Sequence, residues 1–245
     1  MKSLGIALVL LSGCGFLNAA RGEARAWEGA WRAVDGEGVE RVLLIVDGYW
    51  TQTMFTREEP AFHRTWGGPF EVEGDRAVTV VHFDSGDAGQ VGRTLSPRLE
   101  RRGDETLVWR GEDGTEQTWE RVRDGGDAEG ELAGVWRISG RQRDNEIQAM
   151  PLRARRTLKV LVGGRFQWIA MNIETGEFSG TGGGRYTFED GTYTEVIEFF
   201  SRDASRVGAE LSFEGRVEGG DWHHRGLSSR GDPIYEVWTK VGGAD

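Results

Sequence analysis

Residues 156–212 read RTLKVLVGGRFQWIAMNIETGEFSGTGGGRYTFEDGTYTEVIEFFSRDASRVGAELS, and the stretch at 40–96 is a second version of it. Set at a constant offset of 116, the two match without a gap at 17 of 57 positions. The matches include Val46/Val162, Gly48/Gly164, Phe62/Phe178, Thr65/Thr181, Gly67/Gly183, Gly68/Gly184, Phe83/Phe199 and Asp87/Asp203. The flanks agree once gaps are allowed: Gly29–Arg32 matches Gly134–Arg137, and Trp119–Val122 matches Trp238–Val241. A repeat of this length predicts two copies of one domain, at 27–123 and 131–245, joined by a polar, Gly-rich linker at 124–130.

Each copy predicts eight short strands. In the second they fall near 132–139, 156–163, 165–172, 184–190, 192–202, 206–216, 220–226 and 234–241. Gly163-Gly164, Glu189-Asp190-Gly191 and Glu218-Gly219-Gly220 make tight hairpin turns, because Gly and Asp tolerate positive φ. The remaining connections, at 140–155, 173–183, 202–205 and 226–233, are longer. In an up-and-down meander alternate connections share an end, so every long loop gathers at one mouth. The expected fold is all-β, as two tandem antiparallel barrels. Two β-sandwiches are the other architecture that the same strand count allows.

Gly-x-Trp near the start of strand one, eight strands and a cation on the last strand resemble the lipocalin-like (calycin) barrels. The resemblance implies that Trp31 pairs with Arg121, and Trp136 with Lys240, as an indole covered by a cation at the closed end. It also implies a small-molecule ligand in the open end.

The chain of 245 residues carries 30 Lys+Arg against 40 Asp+Glu, a net charge of −10 that argues against a nucleic-acid binder. Lys2 followed by the apolar run Leu4–Leu11 predicts a signal segment, with residues 1–26 as signal and tether. Leu11-Ser12-Gly13-Cys14 resembles a bacterial lipobox. Export is therefore expected, either as an envelope lipoprotein acylated on Cys14 or as a periplasmic or secreted chain, with the lipid as its membrane contact. Cys14 is the only cysteine, which excludes a disulfide framework.

The copies differ at the long-loop end of the second, which points to that mouth as the working one. Its connection 140–155 is longer and adds Arg141, Arg143, Arg153 and Arg155. Where the first copy has Trp109-Arg110-Gly111, the second has Trp222-His223-His224-Arg225-Gly226, then Leu227–Pro233 with Arg230. His223 and His224 are neighbours on a strand and face opposite ways, so they cannot share a metal without a bulge. Glu195 and Glu198 also face opposite ways, each readable as a surface carboxylate or as a buried one in want of a partner. Trp168, Phe166 and Tyr235 are expected to line the barrel. The candidate ligand contacts are Trp168, Tyr193, Glu195, His223, His224 and Tyr235, with Arg141 and Arg230 at the rim.

No cofactor and no metal are implied. Thr181–Gly184 is not a phosphate loop, because no Lys-Ser/Thr and no helix follow it. Ser228, Ser229 and Asp232 beside the histidines contain the residue types of a triad and nothing more. The expected function is binding of a small anionic or amphipathic ligand by the second barrel. The alternatives are a non-enzymatic envelope interaction module with packed barrels, and an enzyme using His223 or His224 with Glu195.

Overall fold

The computed structural model describes residues 25–123, 130–228 and 230–241. The signal segment with Cys14 and almost all of the predicted linker lie outside them. The first half contributes β1 (Gly29–Val34), β2 (Glu40–Val46), β3 (Tyr49–Thr56), β4 (Ala61–Glu73), β5 (Arg76–Val80), β6 (Phe83–Asp84), β7 (Thr94–Leu95), β8 (Arg98–Arg102), β9 (Thr106–Arg110) and β10 (Glu116–Arg121). The second contributes β11 (Gly134–Arg143), β12 (Glu146–Ala149), β13 (Arg155–Val162), β14 (Arg165–Asn172), β15 (Phe178–Glu189), β16 (Thr192–Phe200), β17 (Glu210–Glu218), β18 (Asp221–Leu227) and β19 (Pro233–Lys240).

The second half is a closed eight-stranded antiparallel barrel, in the order β11-β13-β14-β15-β16-β17-β18-β19, sealed by β19 pairing back to β11. This architecture is compatible with a lipocalin-like barrel. The first half forms a ring of pairings, β1-β2-β3-β4-β5-β8-β9-β10, whose β5–β8 seam is a single residue pair, Arg76↔Arg98. Pro97 explains the weak seam. It lacks an N–H and splits β7 from β8, whereas β17 runs unbroken through the corresponding region of the second half.

The hairpin turns lie where Gly and Asp placed them. Asp47-Gly48 has φ of 49° and 71°, and Asp190-Gly191 has 48° and 76°. The cation–indole pairs also form: Arg121 lies 4.3 Å above Trp31, and the Lys240 ammonium 5.6 Å from Trp136.

Two segments differ from expectation. The long connection 140–155 is partly structured: Asp144-Asn145, both at positive φ, turn β11 back on itself as the edge strand β12. Residues 178–183, expected in a loop, open β15. Its glycines are required by neighbours, because a Cβ on Gly182 would meet Trp168 Nε1 at 2.7 Å and one on Gly183 would meet the Phe199 ring at 2.4 Å. Side-chain packing onto the bare backbone overrides the low strand propensity of glycine here.

The halves share a core. Val42, Leu44, Val46, Phe55 and Phe83 of one pack with Leu158, Val160, Val162, Met171 and Phe199 of the other, away from both ring interiors. Strands β2 and β13 are therefore buried on both faces, which is why Val42–Val46 and Leu158–Val162 are nearly continuous apolar runs. The contact is isologous, the same patch meeting itself: Phe62 stacks on Phe178, its partner at the offset of 116, with centroids 6.4 Å apart. Buried Gln167 donates across this contact to Thr65 Oγ1 at 2.8 Å. At its edge Glu198 Oε1 lies 3.1 Å from Arg57 Nη1, and Arg165 of its own half binds the same carboxylate.

Candidate functional site

Alternation along the strands sends Lys159 (β13), Tyr193 and Glu195 (β16), Trp222 and His224 (β18), and Glu236 and Trp238 (β19) into the second barrel. The matching positions of the first ring hold Leu43 for Lys159 and Thr79 for Glu195 at the offset of 116; Trp109 pairs with Gln117 where His224 pairs with Glu236, so by register Trp109 answers to His224 and not to Trp222. The second interior has thus exchanged an apolar and neutral set for a lysine, a histidine and two carboxylates.

Lys159 Nζ lies 2.7 Å from Glu195 Oε1, with both side chains almost fully buried. Four rings surround the ammonium, those of Tyr193, Trp222, Trp238 and Phe166, at 5.0, 5.1, 5.2 and 5.8 Å. Burial, and then the Glu195 carboxylate, push the Tyr193 phenol well above its usual range.

Beside this pair the His224 ring lies 4.1 Å from Phe213 and 5.2 Å from Trp222, centroid to centroid. Neither of its nitrogens has a hydrogen-bond partner among the described residues. Its nearest carboxylate is Glu236, with Oε2 3.8 Å from Nδ1, and Glu236 in turn accepts from Arg141 at the rim at 2.5 Å. Burial, and then the Lys159 charge, hold the imidazole neutral well below the usual histidine pKa.

The sign of the pH dependence follows. An unfolded chain binds this proton below about pH 6.5 while the folded chain refuses it, so stability is complete above that pH and declines as the pH falls. His82, lowered to about 4 by burial and then by Arg156, acts in the same direction. Urea midpoints are expected to drop between pH 7 and pH 5, with a visibly shallower slope in His224→Phe. An unchanged slope in that variant would mean that the imidazole takes up its proton in the fold as readily as in the unfolded chain.

Above the interior, the long-loop end carries a cleft of about 500 Å³. Arg137, Arg141, Arg143, Arg153, Arg155, Arg156 and Arg202 line it together with Ile138, Met150, Leu152 and Met171. Several of these arginines are spent on backbone oxygens: Arg137 donates to Met150 at 2.9 Å, Arg156 to Arg153 at 3.0 Å, and Arg202 to Ser179. Arg143, Arg153 and Arg155 have no carboxylate within ion-pair distance among the described residues. A second hollow of about 520 Å³, lined by Gln142, Glu214, Arg225, Leu227 and Tyr235, lies beside it on the outer wall.

The structure divides the predicted site residues into three groups. Tyr193, Glu195 and His224 face inward, and Trp168 is half-buried against Phe200, with Arg202 5.9 Å from its ring. Arg141 and Arg230 are at the mouth; the Arg230 N–H donates to the Ser228 hydroxyl, which makes that hydroxyl a turn staple. Tyr235, expected inside, points outward with His223, whose Nδ1 is 2.9 Å from the Tyr235 hydroxyl. The cause is register: Trp222↔Trp238 and His224↔Glu236 pair inward, so Arg225↔Tyr235 and His223↔Val237 pair outward. Glu198 faces the other half of the chain. Lys159 and Glu236 are the charged inward residues absent from the predicted set, beside the inward Trp222 and Trp238. Lys159 had a signal, as one of three lysines in the chain and the only charge within Leu158–Val162. No three His, Cys, Asp or Glu side chains converge to hold a metal among the described residues. No family model matches the chain, and no curated protein is significantly similar to it in sequence.

Proposed function

We propose that this is an exported, tandem lipocalin-like protein whose second barrel binds a small anionic, amphipathic ligand at its open end, with Cys14 as the site of a lipid anchor. The observation that supports this reading most is the set Arg143, Arg153 and Arg155, which lack carboxylate partners among the described residues and line a cleft beside Met150 and Leu152. A guanidinium offers a forked donor to carboxylate or phosphate, and the apolar neighbours suit a short alkyl chain. Because side chains occupy the barrel interior, the ligand sits in the cleft, with Arg141 at its rim and the Lys159–Glu195 pair buried inside the barrel.

Titration calorimetry with octyl phosphate tests the reading. Replacing Arg143, Arg153 and Arg155 together by Ala is expected to weaken binding by about a thousandfold, at about tenfold for each charge-assisted contact. An unaltered affinity would remove it. A second reading, a non-enzymatic envelope interaction module, is favoured by the filled interior and the core that joins the halves. It predicts no octyl phosphate binding by the wild-type chain.

A further inference from the structure

Large apolar side chains left in water are few and unevenly placed. Among the described residues they are Val34, Ile147, Met150, Leu152 and Leu227. Three lie within six residues of one another, on β12 and the segment that follows it. The fourth, Leu227, sits across the second hollow from Gln142, on the same end of the barrel. Clustering of this kind marks an interaction surface, whereas a lone residue such as Val34 does not.

Positive charge is concentrated in the cleft at this end, with Asp144 and Glu146 flanking it on the β11–β12 turn. The chain carries −10, yet the cleft between these apolar residues is lined by arginines, and Glu236 beside it is already held by Arg141. An anionic plane that meets this cleft faces seven arginines on a chain whose net charge is negative.

We propose that the long-loop end of the second barrel docks on an anionic lipid bilayer, with Ile147, Met150 and Leu152 inserted at the headgroup level and Arg143, Arg153 and Arg155 among lipid phosphates. Apolar insertion combined with arginine–phosphate contact is the combination that holds a protein in the plane of a membrane. The inference rests on the ligand reading above and extends it: the cleft opens onto the surface that supplies an anionic amphiphile.

The test uses full-length chain with Cys14→Ser, so that no acylation occurs and any contribution from residues 1–24 is common to all samples. Sedimentation is measured with phosphatidylcholine vesicles and with vesicles containing about a third phosphatidylglycerol. The anionic vesicles are expected to carry the protein down and the neutral ones not. Replacing Arg143, Arg153 and Arg155 by Ala should weaken partitioning about fivefold for each charge, roughly a hundredfold in all. Ile147→Asp with Leu152→Asp should abolish it and Val34→Asp should leave it unchanged, with circular dichroism confirming that each variant folds. Equal sedimentation of all variants, or no preference for anionic vesicles, overturns the docking surface. Octyl phosphate calorimetry on the same samples separates the two ideas. Octyl phosphate binding without vesicle binding sinks the docking surface and leaves the ligand reading. Arginine-dependent vesicle binding without octyl phosphate binding supports the surface and sinks the ligand reading.

Discussion

Glu195→Thr is expected to destabilise the protein by about 3–5 kcal/mol, because it leaves the Lys159 ammonium buried without its carboxylate. Lys159→Leu alone should cost a similar amount by stranding Glu195. The double variant restores the pair found in the first ring, Leu43 with Thr79, and should recover most of the loss. A buried ion pair seldom outperforms apolar residues of similar volume, because desolvating both charges consumes most of their attraction. Urea denaturation of the four proteins gives the coupling directly. A double variant as unstable as the sum of the singles would refute this account of the pair. Its recovery would instead mean that the second barrel keeps a lysine and a glutamate inside for a reason other than stability. That reason is to be sought at the cleft that the mouth of the same barrel carries.

The second large effect lies between the halves. Phe55 and Phe199 are almost fully buried there, with centroids 5.0 Å apart. Either residue changed to Ala should cost about 3–5 kcal/mol, the usual loss for a large aromatic in a core that cannot collapse around the gap. Because the apolar cluster belongs to both halves, one cooperative unfolding transition is expected, and each variant should move it as a whole. Hydrogen exchange makes the check: protection of the β9–β10 and β18–β19 amides should fall together in Phe55→Ala. Loss confined to the first half would mean the halves are energetically separate.

What the sequence made readable was whatever depends on near neighbours along the chain. Asp47-Gly48 and Asp190-Gly191 announced their hairpins, and Gly-x-Trp with a terminal cation announced Trp31–Arg121 and Trp136–Lys240. Asp144-Asn145 carried the same kind of turn signal, unread because it lies in an arginine-rich stretch that looked like solvated loop. The opposite faces of His223 and His224, and of Glu195 and Glu198, followed from the strand period alone. Which face is interior did not follow. In β19 the residues Ile234, Glu236 and Trp238 turn inward while Tyr235 and Val237 turn out, and hydrophobicity does not distinguish the two sets. In β13 both faces are buried, so the run Leu158–Val162 offers no alternation from which the inward direction of Lys159 could be read. Local rules fail where charge is held inside, and such positions are the ones to suspect of a role beyond folding.

The two-sided burial of β2 and β13 also bears on the order in which the molecule is made. Val42-Leu43-Leu44-Ile45-Val46 enters the chain early, yet the outer half of its partners, Leu158 to Phe199, follows more than a hundred residues later. During that interval the outer face of β2, with Val42, Leu44 and Val46, lacks the second-half side chains that complete its cover, and such an apolar face packs readily against any similar one. A growing chain at high concentration therefore meets the same face on its neighbours before its own second half arrives. Yield, more than the stability of the finished protein, should be where changes in that face are felt first.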